Sequence, residues 1–242
     1  MELSEFKGEL LLSLEKNGLE IEPTEEQIER LFNLTKIMLT VNESMNLTAI
    51  TDEKAIIVKH YVDSLTVSSY IPKGASVIDV GCGAGFPCLP LVIFREDLAI
   101  TALDSTAKRI NYLADTASKL GLSNITAIAA RAEEAGKKDG YRESFDVATA
   151  RAVAALPMLA ELCLPFVKVG GSFVSMKASQ GEQEVLDAKN AISLCGGTLL
   201  SVDKRLLVSD SSDQRTIISI SKTSHTPSKY PRHFSQISKK CL

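Results

Sequence analysis

Tryptophan is absent from the 242 residues, and the five cysteines include no Cys-x-x-Cys pair. A structural zinc site or a disulfide framework is therefore disfavoured, and we expect no bound metal. No charge-free apolar run approaches the ~20 residues that a membrane span needs. The first residues carry glutamates where a signal peptide needs positive charge. These absences predict a cytoplasmic protein that does not contact a membrane.

Acidic residues are missing from the end of the chain. The last 21 residues, from Lys222 onward, contain five lysines and arginines and no acid, whereas the rest has 22 basic residues against 30 acidic ones. Two prolines also lie there, so we expect residues 222–242 to form an extended basic arm. Since the rest of the chain is acidic, a polyanion such as a nucleic acid would be bound by this arm and by local basic side chains. The candidates outside the arm are Lys54, Lys59, Lys177 and Arg205.

The first 72 residues are predicted to be helical. Thr24 and Gln27 have the spacing of a capping box, and apolar residues then recur at intervals of three and four over residues 28–38. This pattern predicts an amphipathic helix to about residue 41, with a shorter helix before it and one or two after it. Residues 1–72 are therefore expected to form an N-terminal helical extension.

Residues 73–221 alternate between strand and helix patterns. Short apolar runs predict strands and amphipathic stretches between them predict helices, which is typical of a parallel sheet covered on both faces. The predicted strands are 76–80, 99–103, 125–129, 145–149, 172–176, 197–208 and 216–220. No helix separates the last two, so we expect an antiparallel hairpin at one sheet edge, joined by the polar loop 209–213. The predicted fold class is α/β, with a mostly parallel seven-stranded sheet.

A glycine-rich segment, D-V-G-C-G-A-G-F-P at residues 79–87, follows the first predicted strand. Its G-x-G-x-G spacing differs from the dinucleotide fingerprint G-x-G-x-x-G, because Phe86 stands at the third glycine position. Glycines there allow a ligand to approach the backbone in front of a helix N-terminus. Asp104 ends the second strand, where a carboxylate can accept hydrogen bonds from both hydroxyls of a ribose. Together these features indicate a ligand that contains a nucleoside.

Structural alternatives stay open for both features. Three glycines can simply form a tight turn, and Asp104 can cap a helix that begins near Thr106. An NAD-dependent oxidoreductase is a remote possibility that Phe86 disfavours, because the dinucleotide fingerprint requires a glycine at that position.

Further motifs are spread along the chain. They are Met45–Thr48, His60 with Asp63 and Ser64, the glycine-rich segment, Asp104–Ser105, Arg131–Glu133, Thr149–Ala152, Met176–Lys177 and Lys229–Arg232. In this order they resemble the bacterial glucose-inhibited division protein B family, within the class I S-adenosylmethionine-dependent methyltransferases. The resemblance covers nearly the whole chain. It implies a Rossmann-like fold, S-adenosyl-L-methionine as cofactor, and methylation of N7 of one guanosine in the 530 loop of 16S ribosomal RNA.

The resemblance also implies which residues form the site. The implied cofactor-binding residues are Gly81, Gly83, Gly85, Phe86, Asp104, Ser105, Ala132, Glu133 and Arg151. Asp104 would take the ribose, and Ala132 and Glu133 would flank the adenine. The implied partner is 16S ribosomal RNA or a small ribosomal subunit precursor, and the protein is expected to be a monomer. One departure is that Phe234 and its neighbours stand where many relatives continue with Gly-Thr-Pro.

Methyl transfer to guanine N7 needs no general base, because N7 already carries an in-plane lone pair. After the fourth strand there is neither an Asp/Asn-Pro-Pro-aromatic motif nor a Pro-Cys pair, which fits this chemistry. Catalysis would depend on alignment and on a cation that positions guanine O6 or the phosphates. The predicted catalytic residues are Arg151 and Lys177. Arg109 is a weaker candidate that can equally be a solvated helix side chain.

His60, Asp63 and Ser64 are spaced to share one face of a helix. They can brace the methionine carboxylate or the target nucleotide. Alternatively, they can tie the helical segment to the sheet, since buried polar groups must find partners in any fold.

Two other functions stay open from the sequence. One is a methyltransferase for a small molecule, which would tolerate deletion of the basic arm. The other is an RNA-binding assembly factor without catalysis, which would transfer no methyl group from the cofactor to RNA.

Overall fold

A computed structural model describes residues 1–179, 181–209 and 213–242. The strands are β1 (Ser76–Val80), β2 (Ala99–Asp104), β3 (Ile125–Ala129), β4 (Phe145–Arg151), β5 (Val167–Lys177), β6 (Gly197–Leu207) and β7 (Asp213–Lys222). They form one seven-stranded sheet with the order β3-β2-β1-β4-β5-β7-β6. Strands β1 to β5 are parallel, and β7 lies antiparallel between β5 and β6. The predicted α/β class and the edge hairpin are confirmed.

The helices cover the sheet and continue the chain at both ends. They are α1 (Leu3–Lys16), α2 (Glu25–Met45), α3 (Glu53–Ile56), α4 (Asp63–Leu65), α5 (Cys88–Phe94), α6 (Ala107–Lys119), α7 (Ala132–Ala135), α8 (Leu156–Cys163), α9 (Gly181–Leu194) and α10 (Phe234–Lys239). A π-helical segment, Ile57–Val62, joins α3 to α4 without a break. Within the described part of the chain, no helix combines the length and apolarity that a bilayer crossing requires.

The strand ends bring the predicted motifs to one edge of the sheet. Val80 at the end of β1 is level with Leu103 of β2, and Asp104 is level with Ala129 of β3. β4 ends nearby at Arg151, in register with Met176 of β5. Because the strands are parallel, the loops that follow them meet at their carboxyl ends, which is where open α/β sheets bind ligands.

The capping box of α2 is present as the sequence predicts. The Thr24 hydroxyl accepts a hydrogen bond from the Gln27 backbone at 3.2 Å, and the Gln27 side chain accepts one from the Thr24 backbone at 3.0 Å. The helix runs past the expected end, to Met45. It stops there because Asn46 takes the left-handed conformation, with φ of 49°, which asparagine tolerates better than most residues.

The helical extension shares its core with the sheet. Phe6 of α1 and Leu31 of α2 are fully buried, and they belong to the same apolar cluster as Val77 of β1 and Ile100 of β2. Burying such side chains is the main favourable term in folding. The N-terminal helices therefore stabilise the face of the sheet that carries the glycine-rich segment, and the division at residue 72 is not a break in the core.

The basic tail is folded, which corrects the expectation of an extended arm. Lys222 is the last residue of β7 and is 1% exposed. Its ammonium donates to the Leu164 carbonyl and the Thr226 hydroxyl, both at 2.6 Å, and pairs with Glu143 at 3.1 Å. A buried charge needs such partners, so this lysine anchors the tail instead of binding RNA. Within the loop predicted at 209–213, residues 210–212 lie outside the described part of the chain.

Candidate functional site

A cavity of about 430 Å³ opens at the carboxyl ends of the parallel strands. Eight of the predicted site residues line it, namely Gly81, Gly83, Phe86, Asp104, Ser105, Ala132, Glu133 and Arg151. These eight residues end or follow four different strands, β1 to β4. The fold therefore brings together residues that are far apart in sequence. This cavity is the candidate functional site.

The glycine-rich segment has three glycines with a positive φ, Gly81, Gly83 and Gly85, and the first two line the cavity. A Cβ at Gly81 would meet the Val153 side chain at 2.7 Å, and one at Gly85 would meet Leu89 at 2.4 Å. At Gly83 the only atom within 4 Å is the Gly81 carbonyl oxygen, at 3.9 Å. Gly81 and Gly85 therefore serve close packing, whereas Gly83 leaves space on the cavity side for a ligand to approach the backbone.

Asp104 faces the cavity while holding two backbone groups. One carboxylate oxygen accepts from the Gly83 backbone at 3.1 Å, and the other accepts from the Thr106 backbone at 2.8 Å. The bond to Thr106 closes a turn just before α6, whose N-cap residue is Thr106 and which has no side-chain cap. The same Asp104 side chain lines the cavity. Each carboxylate oxygen keeps a free lone pair. These contacts fix the carboxylate in the place where it can accept hydrogen bonds from a ribose.

Asp79 is the first residue of the glycine-rich segment and is 1% exposed. Its carboxylate accepts hydrogen bonds from the Cys88 backbone at 3.3 Å and the Thr149 hydroxyl at 3.1 Å. Burial raises the pKa of Asp79 to about 6, although these hydrogen bonds and the charge of Arg151 oppose the shift. The carboxylate of Asp79 therefore links the start of α5 to β4 and supports the loop after β1.

Two rings and a guanidinium form one wall of the cavity. The imidazole of His60 stacks on Phe86, and the guanidinium of Arg151 lies over the same phenyl ring, 5.1 Å from its centroid. Arginine has donors only, so its 3.3 Å contact makes His60 Nδ1 the acceptor. The proton then lies on Nε2, which donates to the Thr48 hydroxyl at 2.9 Å. Burial, with a smaller contribution from Arg151, lowers the pKa of His60 to about 3.

One buried carboxylate holds two arginines beside this wall. Asp63 is 4% exposed and pairs with Arg151 at 3.0 Å and with Arg215 of β7 at 3.1 Å. Arg151 also donates to the Lys59 carbonyl at 3.1 Å. Burial lowers the pKa of Arg151, while Asp63 raises it. The arrangement fixes the direction of the Arg151 guanidinium at the end of β4.

Some predicted residues lie elsewhere. Lys177 does not line the cavity; it pairs with Glu184 at 2.7 Å and donates to the Ala154 carbonyl, so its contacts support the segment after β4. Its catalytic role stays a prediction without support from its position. Gly85 is also outside the lining, whereas Arg109 lies at the rim, 3.9 Å from Asp104.

The RNA-binding candidates are partly engaged by acids. Lys54 pairs with Glu9 at 3.2 Å, and Lys59 pairs with Asp213 at 3.1 Å. Surface pairs of this kind contribute little to stability and can be exchanged for other anions. The structure therefore neither assigns these lysines to RNA nor removes them from consideration.

Several lining residues were missed as site residues by reasoning from the sequence. They include Thr48, Arg131, Val153 and Leu162. Arg131 could have been found from its place directly after β3, next to Ala132. Nothing local could have found Arg215, because its partner Asp63 lies 152 residues away in the chain.

In the described part of the chain, no group of three or more histidine, cysteine or acidic side chains is arranged to hold a metal ion. All five cysteines are free, and four of them are buried.

Comparison with known proteins places this arrangement in a family. The family model for GidB, described as rRNA small subunit methyltransferase G, matches residues 27–213. The ribosomal RNA small subunit methyltransferase G of Clostridium beijerinckii is 42% identical over 229 residues, covering 94% of this chain and 95% of the relative. The protein of that name from a Geobacillus strain is 45% identical over 208 residues, covering 85% and 86%.

Solved structures agree at the level of the fold. A S-adenosylmethionine-dependent methyltransferase from Aquifex aeolicus has a TM-score of 0.51 at 17% identity, covering 69% of this chain and 93% of that one. The [4+2]-cyclase SpnF has a TM-score of 0.55 at 16% identity, covering 84% and 97%. The fold is thus that of the class I methyltransferases, and the chain belongs to the GidB family of rRNA small subunit methyltransferase G.

Proposed function

We propose that this protein transfers the methyl group of S-adenosyl-L-methionine to N7 of one guanosine in the 530 loop of 16S ribosomal RNA. Methylation of ribosomal RNA with this cofactor is the activity of the family to which the chain belongs. The observation that carries the proposal is that one cavity joins a nucleoside cradle at Gly83 and Asp104 to a cationic and aromatic wall at Arg151 and Phe86.

The residues present fit the cofactor. The open space beside Gly83 admits a ligand close to the backbone, and Asp104 presents oxygens to a ribose. Ala132 and Glu133 line the cavity after β3, where the adenine would lie. When bound, the cofactor supplies a methyl group activated by a sulfonium. The chain itself binds and orients that group and excludes water from it.

The acceptor chemistry requires no base, and the imidazole of the cavity is a poor one at neutral pH. His60 is the imidazole of the cavity, and a pKa of about 3 makes it a weak base. Guanine N7 needs none, because its lone pair lies in the ring plane and is free to attack. The remaining task is alignment, which can contribute about 7 to 11 kcal/mol.

Arg151 is the group that we assign to positioning the target. Its guanidinium can donate hydrogen bonds to guanine O6 or to phosphate oxygens. Asp63 fixes its direction from behind, and Phe86 supports it from one face. A donor at O6 holds the base and leaves the N7 lone pair free. N7 can then face the methyl group. Recognition through O6 therefore excludes an adenine, which has an amino group there.

The proposal includes the cellular setting of the reaction. The substrate is 16S ribosomal RNA or the small-subunit precursor that contains it, and the protein acts in the cytoplasm as a monomer. Sedimentation of the purified protein tests the oligomeric state.

The decisive experiment measures the modified nucleotide. Small ribosomal subunits from cells that lack this protein are incubated with the purified enzyme and a cofactor labelled with tritium in its methyl group, and 7-methylguanosine is then mapped by mass spectrometry. We expect one methyl group at one guanosine of the 530 loop, and parallel reactions with naked 16S RNA identify the preferred substrate. Label in a small molecule, or cofactor binding without transfer to any ribosomal particle, would contradict the proposal in favour of the two other functions.

Arg151→Ala is the matched test of the acceptor site. We expect cofactor affinity to stay within about threefold while the rate of methylation falls by about two orders of magnitude. Arg30→Ala, a change on α2 outside the cavity lining, is the control and should keep the rate.

A further inference from the structure

Phe234 brings the C-terminal tail into the cavity. Its side chain lines the same cavity as Asp104, Ala132 and Glu133, although it lies about a hundred residues further along the chain. The ring is 37% exposed, and the Arg131 guanidinium lies over it, 5.5 Å from its centroid. The tail therefore supplies an aromatic surface to the end of the cavity that follows β2 and β3.

A buried ion pair holds this part of the tail in place. Glu161 of α8 is completely buried, and it accepts hydrogen bonds from Arg232 Nε at 2.9 Å, Nη2 at 2.7 Å and the backbone nitrogen at 2.8 Å. Ile237, in the same short helix as Phe234, is also completely buried. Breaking a buried pair of this kind costs several kcal/mol, so α10 has a fixed position at the rim of the cavity.

A second arginine ties the preceding segment to the same region. Arg142 donates to the carbonyls of Thr226 at 2.6 Å and Tyr230 at 3.0 Å in the tail, and to that of Gly136 at 3.0 Å. Gly136 directly follows α7, the helix that begins with Ala132. The tail and the segment after β3 are therefore joined by direct hydrogen bonds.

We infer that Phe234 forms one face of the adenine subsite and stacks on the purine ring of the cofactor. This inference rests on the proposed function, because it requires a nucleoside in the cavity. Aromatic side chains stack on bases through their faces. Phe234 touches Arg131, next to Ala132, whereas Phe86 touches His60 and Arg151. The two rings thus belong to different parts of the cavity, and Phe234 belongs to the part assigned to adenine.

Calorimetry with S-adenosylhomocysteine, in the absence of RNA, measures the contribution of the ring. Phe234→Ala should weaken binding about tenfold, since loss of one stacked aromatic removes an interaction of that order. Phe234→Tyr keeps the π-face and should bind within about twofold of the unmodified protein. Lys239→Ala, an exposed change in the same helix, is the matched control. Unchanged thermal melting of Phe234→Ala shows that the tail remains folded.

A fluorescent reporter tests the position directly. The chain has no tryptophan, so Phe234→Trp places its single tryptophan in the proposed subsite. We expect its emission to be quenched or shifted when S-adenosylhomocysteine binds. Leu200→Trp, on β6 at a side chain that is 68% exposed and outside the cavity lining, should give an emission that does not respond.

The outcomes separate this inference from the proposed function. If the cofactor binds normally to Phe234→Ala and the tryptophan at 234 does not respond, the adenine subsite lacks this wall and the proposed function still stands. A reporter that responds only when RNA is added overturns the inference as well, because Phe234 would then contact the substrate. If the unmodified protein binds no S-adenosylhomocysteine, both proposals fail together.

Discussion

The imidazole of His60 lies nearly parallel to the phenyl ring of Phe86, with 4.4 Å between the ring centroids and 15° between the planes. His60 belongs to the π-helical segment and Phe86 to the glycine-rich segment. The stack therefore joins the N-terminal helices to the loop that we assign to the cofactor. Because the imidazole is buried and lies beside Arg151, it stays uncharged, and this has a measurable effect on stability.

Replacing His60 should change the response of stability to acid. The unfolded chain takes up a proton at this residue near pH 6.5, whereas the folded protein does so only near pH 3. The free energy of unfolding therefore falls as the pH drops below about 6.5, by up to ~1.4 kcal/mol per pH unit from this group. Urea unfolding at pH 7, 6 and 5 should show a smaller fall in His60→Gln than in the unmodified protein. Parallel curves for the two proteins would show that His60 ionises normally.

Replacing Asp79 should remove a pH dependence of stability that has the opposite sign. Its pKa is about 6 in the folded protein and near 3.9 in the unfolded chain. The unfolded chain therefore loses the proton first, and the free energy of unfolding falls as the pH rises from about 4 to 6, by up to ~3 kcal/mol. Asp79→Asn should remove this fall, as measured by urea unfolding between pH 4 and 7. A variant that retains the full slope would place its origin in another group.

Asp63→Asn should strongly destabilise the protein. The substitution leaves Arg151 and Arg215 without the carboxylate that lies 3.0 and 3.1 Å from them, and removing one partner of a buried ion pair costs about 3 to 5 kcal/mol. Denaturant unfolding measures the loss. The control is Glu182→Gln, whose pair with Lys204 has both side chains 62% exposed and should contribute less than about 1 kcal/mol. Equal effects of the two substitutions would contradict this account of Asp63.

Gly83→Ala should impair cofactor binding while the fold persists. A methyl group at this position would extend into open space beside the backbone, where the ligand approaches. We expect S-adenosylhomocysteine to bind at least about tenfold more weakly by calorimetry. Gly74→Ala is the matched control, because its φ of +72° imposes similar backbone strain and no atom lies within 4 Å of the added carbon. Both variants should lose about 1 kcal/mol of stability, and only the first should lose affinity.

The parts of the site that the sequence predicts are those built from adjacent residues. The segment from Asp79 to Phe86 and the carboxylate at Asp104 follow directly from strand ends and turn chemistry, and the structure places them together. The alternating pattern also predicts the sheet, because buried parallel strands and amphipathic helices leave clear local signals. These features need no information about distant contacts.

The parts that the sequence does not predict depend on long-range ion pairs. The charge count predicts that Lys222 and Arg232 belong to a free basic arm. In the structure, Lys222 pairs with Glu143 and Arg232 pairs with Glu161. Similarly, Lys177 ends β5, at the sheet edge where catalytic residues are expected, but its ammonium pairs with Glu184. A formal charge is visible in the sequence, whereas its partner is set by the tertiary fold.

During translation, the carboxylate of Asp63 leaves the ribosome 88 residues before Arg151 and 152 residues before Arg215. Chains fold from the N-terminal end as they emerge. Asp63, however, pairs with Arg151 and Arg215, which are synthesised much later. A nascent chain that stops before β7 lacks Arg215, one of the two partners of this acid. The wall at Arg151 is therefore completed only when nearly the whole polypeptide has been made.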